Sequence, residues 1–165
     1  MSTVGPELLA RLIDEHAPAL VLYARQWCDA PEDVVQEALL RLVEQPGLPE
    51  NVLAWLYRVV RNAAVSVSRS ATRRTRRETA TARRREPWFD PTDGEQLDAA
   101  AATAALELLP LEQREVIVAR LWGELSLEQI AELTGSSTST VHRRYQSGLA
   151  ALRERLGVAC PPKKN

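Results

Sequence analysis

Cysteine and histidine are scarce in this chain of 165 residues. The two cysteines, Cys28 and Cys160, lie far apart and outside any CxxC pattern, and His16 and His142 are the only histidines. Disulfide-stabilised domains and structural zinc sites need these residues in clusters at short spacings. The sequence therefore predicts neither a disulfide framework nor a metal site.

Long apolar runs and catalytic motifs are also missing. No stretch approaches the roughly 20 apolar residues of a membrane-spanning helix, and no N-terminal segment is of the signal-peptide type. The chain has no glycine-rich phosphate loop, no HExxH and no serine or cysteine with a plausible histidine partner. We therefore expect a cytoplasmic protein that is not an enzyme and needs no cofactor.

The net charge of −1 conceals a strong alternation of charge along the chain. Residues 1–57 carry −6, residues 58–85 carry +9, residues 86–132 carry −9 and residues 133–165 carry +5. Two basic blocks separated by an acidic block indicate two separate contacts with a polyanion.

The N-terminal part is typical of helices. A first helix opened by Pro6 would carry these residues toward a core: Leu9, Leu12, Ile13, Leu20, Ala24 and Trp27. Pro31 suits the first position of a second helix. That helix would bury Val35, Ala38, Leu39 and Leu42, and would expose Asp33, Gln36, Glu37, Leu40, Arg41 and Glu44. From the residues alone, this exposed rim is either a solvated surface or a protein-binding surface.

A third helix is predicted after Asn51, which can cap it. Its apolar stripe consists of Leu53, Leu56, Val60, Ala63 and Val67. The opposite face gathers Trp55, Arg58, Asn62, Ser66, Arg69 and Arg73. Such a face can hold a nucleic-acid backbone by charge and hydrogen-bond a base edge. Trp55 either stacks on an unpaired base or packs against a neighbouring helix.

Periodicity fades over residues 78–105, which contain two prolines, a glycine and a change of charge sign. This pattern is typical of a linker. We therefore predict an all-α fold of two small helical domains joined by a flexible linker, with domains at 1–77 and 106–156 and a tail at 157–165.

Residues 125–156 are typical of a helix-turn-helix. Ser126 and Gln129 form a capping-box pattern, and Gly135 suits the end of the short helix that follows. The next helix has an apolar stripe of Val141, Tyr145, Leu149, Leu152 and Leu156. Its opposite face holds Ser139, Thr140, Arg143, Gln146 and Ser147, with His142 at the border. Arginine pairs with guanine and glutamine with adenine, so this face indicates either DNA reading or an ordinary hairpin with a solvated side.

With these elements in place, the chain resembles the bacterial RNA polymerase sigma factors of the extracytoplasmic-function type, which keep only the second and fourth conserved regions. DVVQEALLRL at 33–42 resembles the helix that binds core polymerase, and AWLYRVVRNAA at 54–64 resembles the helix that melts the promoter and reads its −10 element. The sequence from Leu109 onward resembles the fourth region. One departure is Ser136, which stands where an aliphatic residue usually packs the turn.

The resemblance implies roles for three sets of residues. The polymerase-binding set is Asp33, Gln36, Glu37, Leu40 and Arg41. The −10 set is Trp55, Arg58, Arg61, Asn62, Arg69 and Arg73, together with the loop 45–51. The −35 set is Thr140, His142, Arg143, Arg144, Gln146 and Ser147, in which Arg144 is expected to contact phosphate or to pack beside the helix.

Partners follow from the same resemblance. It implies core RNA polymerase and promoter DNA, and it raises an anti-sigma protein as a further partner. Two other classes of protein stay open at this point: a stand-alone helix-turn-helix regulator that works without polymerase, and an arginine-rich RNA-binding protein.

Overall fold

The computed structural model describes residues 4–75 and 96–157, apart from the side chains of residues 75 and 96–100. Every regular element in these two ranges is an α-helix, which confirms the predicted all-α fold. The helices are α1 (Pro6–Ala24), α2 (Pro31–Glu44), α3 (Val52–Thr75), α4 (Gln96–Glu107), α5 (Leu111–Leu121), α6 (Leu127–Thr134) and α7 (Thr138–Leu156). Helices α1 to α3 belong to one compact unit, and α4 to α7 belong to another.

The core of the first unit lies among α1, α2 and α3, each of which packs on the other two. The predicted core residues that are buried here are Leu12, Leu20, Ala24, Val35, Ala38, Leu42, Leu56 and Val60. Tyr23 and Tyr57, which the sequence analysis did not place in the core, are fully buried and meet edge to face at 4.9 Å between ring centroids. Such ring pairs stabilise a core beyond the area they bury, so this pair ties α1 to α3.

Three residues predicted for the core are largely exposed: Ile13 (42%), Val67 (45%) and Leu156 (42%). Buried residues of α1 concentrate at its C-terminal end, around Leu20 and Ala24, so its first half is only partly covered. Helix α3 extends about 36 Å and α2 about 21 Å, at about 1.5 Å per residue, so α2 is too short to cover the whole length of α3. Leu156 is the last residue of α7. In each case the periodicity is helical, but the residue is left largely exposed.

Helix α4 begins at Gln96, so residues 96–105, at the C-terminal end of the predicted linker, are helical. Alanines crowd this stretch, and alanine has the highest helix propensity without contributing an apolar period. Ala105, Leu106 and Leu109 are buried in the second unit. Residues 76–95 and 158–165 lie outside the described residues, so the domain boundaries stay predictions.

The helix-turn-helix is capped as the sequence predicts. The Ser126 Oγ accepts a hydrogen bond from the Gln129 backbone N–H at 3.1 Å, and the Ser126 N–H donates to Gln129 Oε1 at 2.8 Å. Gly135 ends α6 with a φ of 66°, in the left-handed region that favours glycine. Ser137 caps α7 by accepting from the Thr140 backbone N–H at 3.2 Å. These local bonds define where both helices begin and end.

Helices α5 and α7 approach closely at Gly148, which is buried. A Cβ atom built on Gly148 would lie 3.0 Å from Cγ1 of Ile117, a residue that is itself completely buried. Glycine therefore permits a separation between these helices that a larger residue would not.

We expect Gly148→Ala to destabilise the second unit, even though alanine favours a helix by about 1 kcal/mol over glycine. Overpacking a closed core costs about 1–3 kcal/mol, so the net loss should be about 1 kcal/mol. Urea denaturation followed by circular dichroism measures the effect. In an Ile117→Ala background the same change should cost less, because the clash is gone. A stabilised Gly148→Ala protein would contradict the close approach.

Candidate functional site

The first candidate surface is the α2 rim, defined as Asp33, Gln36, Glu37, Leu40 and Arg41. All five side chains are exposed, as predicted from the sequence, and Leu40 is 51% exposed. The Arg41 Nε donates to Glu37 Oε1 at 3.1 Å, an i,i+4 pair on the exposed surface of the helix. The rim thus combines acidic and amide groups with exposed apolar area, to which Val43 also contributes.

The second candidate surface is the α3 face, defined as Trp55, Arg58, Asn62, Ser66, Arg69 and Arg73. All but Trp55 are exposed; Trp55 is half-buried, which leaves part of its ring accessible. The middle and end of this face line an open cavity of about 290 Å³. Its α3 residues are Arg61, Asn62, Val65, Ser66, Arg69, Ser70 and Arg73. Cations spaced along the helix, with an amide and hydroxyls between them, can follow a phosphate backbone.

Arg61 differs from the other cations of α3 because it is half-buried. Its guanidinium carbon lies 5.9 Å from the centroid of the Trp27 ring, a cation–π arrangement. The Trp27 ring in turn meets the Tyr23 ring edge to face at 5.1 Å. Arg61 therefore contacts the aromatic part of its own core, a role that the sequence analysis missed because Trp27 is distant in sequence.

The third candidate surface is the α7 face, defined as Ser139, Thr140, His142, Arg143, Gln146 and Ser147. All are exposed except Thr140, which is half-buried. The Thr140 Oγ1 accepts a hydrogen bond from the Ser137 hydroxyl at 2.9 Å, so this side chain takes part in the helix cap. Arg143 and Gln146 are three residues apart and therefore neighbours on the helix surface.

Arg144 is the member of the predicted −35 set that engages the protein itself. Its side chain is 24% exposed, and its Nη2 lies 3.1 Å from Glu112 Oε2 at the start of α5. Its Nη1 donates to the Ser136 Oγ at 2.9 Å, in the turn between α6 and α7. Of the two alternatives left by the sequence, this geometry favours packing beside the helix. Glu112 was missed because no local pattern links α5 to α7.

Within residues 4–75 and 96–157, no cluster of three or more histidine, cysteine, aspartate or glutamate side chains could hold a metal ion. The Cys28 thiol is buried and donates to the Ala24 carbonyl at 3.4 Å, and burial raises its pKa, so it stays protonated at neutral pH. No helix in the described part of the chain is long and apolar enough to cross a membrane.

Two models of known protein families match this chain, one in each unit. A family model described as Sigma-70 region 2 matches residues 12–86, and one described as Sigma-70, region 4, matches residues 99–152. The ECF RNA polymerase sigma factor SigL of Mycobacterium tuberculosis is 35% identical over 92% of each chain. RNA polymerase sigma factor SigV of Bacillus subtilis is 29% identical over 75% of this chain and 74% of its own.

A solved structure is similar along nearly the whole chain. The sigma factor RpoE from Bartonella quintana, crystallised in complex with the anti-sigma factor NepR, is 25% identical and superposes with a TM-score of 0.78. The match covers 94% of this chain and 100% of that one.

Proposed function

Because this chain belongs to the ECF sigma factors of bacterial RNA polymerase, we propose that its two units divide the recognition of a promoter between them. As an alternative sigma factor with regions 2 and 4, the protein directs transcription initiation, and its partners are core RNA polymerase and promoter DNA. In our proposal, the α7 face reads the −35 element, the α3 face holds the −10 element, and the α2 rim binds the polymerase.

The observation that carries the proposal is the exposed α7 face behind a capped turn. Arg143 and Gln146 lie uncovered on adjacent positions of this face, and they are the side chains that pair bidentately with guanine and adenine in the major groove. Ser139 and Ser147 flank them and can bind phosphates. Region 4 of the family matches this stretch, which supports the assignment of the −35 element to it.

The α3 face suits a DNA strand that is already being opened. Arg58, Arg69 and Arg73 supply cations along one side of the helix, and Asn62 lies among them with an amide that can bond a base edge. Residues 58–85 carry +9 while residues 1–57 carry −6, so the positive charge of this part of the chain begins within α3 and the sequence before it is acidic. The α2 rim belongs to the acidic part, which would repel DNA and leaves this surface free for protein.

The sigma subunit would supply promoter recognition and strand capture, and the polymerase would supply all catalysis. Both would act in the cytoplasm. An anti-sigma protein is a further proposed partner, because the similar RpoE was crystallised with one. Such a protein would keep the factor inactive by covering the α2 rim or the α7 face.

Arg61 and Arg58 of α3 differ in burial, so their replacement should have different effects on stability and on promoter opening. Arg61→Ala should lower the free energy of unfolding by about 1–2 kcal/mol, because it removes a partly buried cation–π contact. Arg58→Ala should change it by less than about 0.5 kcal/mol, since Arg58 is exposed, but should weaken promoter opening. Denaturation of each variant and permanganate footprinting of open complexes separate these effects. Equal stability of the two variants would contradict a structural role for Arg61.

Transcription with purified core polymerase and a genomic DNA library tests the proposed function. Sequencing the transcript starts should recover two shared promoter elements, one near −10 and one near −35. Recovery of neither element, with the protein present in excess, would contradict the proposal.

A further inference from the structure

We infer that Glu112 and Ser136 hold Arg144 so that α7 is set at one angle in the second unit, which makes this trio a determinant of −35 discrimination. Arg144 is then a positioning residue that acts through Arg143 and Gln146. The inference rests on the proposed reading of the −35 element by the α7 face.

A single guanidinium links three elements of the helix-turn-helix unit. The Arg144 Nη2 lies 3.1 Å from Glu112 Oε2 in the first turn of α5, and the Nη1 donates to Ser136 Oγ at 2.9 Å in the turn before α7. The guanidinium is a rigid planar fork, so bonds from two of its nitrogens fix its orientation as well as its position. The Arg144 side chain is 24% exposed, whereas the Glu112 side chain is 71% exposed.

Ser136, one of the two anchors of Arg144, is held by the backbone. The Ser136 backbone N–H donates to the Ala131 carbonyl at 3.0 Å, just after Gly135 ends α6. One turn along α7 from Arg144, Gly148 rests against Ile117 of α5. The ion pair and this apolar contact are two points on the same pair of helices, and two points define the angle between them.

That angle controls where the reading side chains lie. Arg143 is the neighbour of Arg144, and Gln146 follows two residues later, so any rotation of α7 moves both. Specific contacts need groups held within about 0.5 Å and 10–20° of the productive geometry. Loss of the contacts within the trio should therefore weaken base preference before it unfolds the unit.

The same geometry argues against a phosphate contact by Arg144. Two of its nitrogens are committed to protein oxygens, and the Glu112 carboxylate beside it, with its side chain 71% exposed, would repel a phosphate. The Ser136 hydroxyl supplies the second acceptor for Arg144, which an aliphatic side chain at this position could not.

A double-mutant cycle on reconstituted holoenzyme tests the inference. The templates are promoters with a fixed −10 element and a randomised −35 element, each coupled to a transcribed barcode. They are transcribed by holoenzyme whose sigma subunit carries Glu112→Gln, Arg144→Gln or both. We expect each single change to lower the ratio of preferred to non-preferred −35 sequences on the order of tenfold, and the double change to add nothing further. Arg144→Gln should leave the salt dependence of promoter binding unchanged.

Matched controls separate positioning from charge and from folding. Glu128→Gln makes the same charge change in the first turn of α6, where Glu128 is exposed, and should leave the −35 ratio unchanged. Circular dichroism checks the fold of each variant. If Arg144→Gln does not fold, Glu112→Gln and Ser136→Ala carry the test, because each removes only one bond of the trio.

Three results would overturn the inference. In the first, Arg144→Gln lowers output equally at every −35 sequence and reduces the salt slope by about one, as loss of a phosphate contact would, while Glu112→Gln does not lower the ratio. In the second, Arg143→Ala and Gln146→Ala alter base preference but Glu112→Gln and Arg144→Gln do not. The proposed function would then stand, but the positioning role of the trio would not. In the third, none of the four changes alters base preference, and the proposed reading by α7 fails with it.

Discussion

Replacement of Asp33, Gln36 and Glu37 together by alanine is expected to abolish binding to core RNA polymerase while leaving the helical fold intact. The three side chains are exposed on α2, so their loss creates no cavity, and alanine favours a helix. A hot-spot residue of a protein interface costs about 2 kcal/mol or more when truncated, so removal of three side chains from the centre of the proposed interface should weaken binding beyond detection. Fluorescence titration of labelled protein with core enzyme measures the affinity.

The control for this variant removes the same number of carboxylates from another helix. Glu7 and Asp14 are exposed on α1, and replacing both by alanine should leave polymerase affinity near that of the unchanged protein. If the α2 variant binds core enzyme normally, or if the α1 control loses as much affinity, the α2 rim is only a solvated surface.

Arg143→Ala and Gln146→Ala should each cost about 1–3 kcal/mol at the cognate −35 element and relax base preference there. Both residues are exposed, so neither change should affect stability. Competition between promoters that differ at single −35 positions, transcribed by the reconstituted holoenzyme, measures the loss base by base.

The control for charge is Arg153→Ala, in the last turn of α7. It removes one cation from the same helix but should weaken transcription equally from all −35 sequences, if at all. An equal loss on every sequence for Arg143→Ala or Gln146→Ala as well would show that those side chains make charge or folding contacts and do not read bases.

Features encoded in neighbouring residues were predicted well. Pro31 begins α2, Asn51 accepts a hydrogen bond from the Ala54 N–H at 2.9 Å ahead of α3, and the Ser126 box and Gly135 bound α6. Each of these signals needs only a few consecutive residues, because the chemistry of a helix end is local. The exposed side chains of the α2 rim and most of the α7 face followed from helical periodicity in the same way.

Features made by contacts between helices were not predictable from the pattern. The aromatic contacts of Tyr23 and Tyr57, the Arg61–Trp27 pair and the Arg144–Glu112 pair all join residues on different elements or beyond a helix end. The start of α4 at Gln96 was not predicted for a different reason, since an alanine-rich helix carries no apolar period. The roles proposed for the three surfaces come from family resemblance, because physical chemistry alone indicates a polyanion contact without naming the promoter element.

Comparison of the free protein with the holoenzyme tests the central claim most directly. Free protein should bind a promoter duplex poorly, and addition of core RNA polymerase should produce specific binding, permanganate-reactive thymines around −10 and a defined transcript. A free protein that binds a palindromic duplex tightly as a dimer, and that neither binds core polymerase nor directs transcription, would contradict the account and identify a stand-alone regulator.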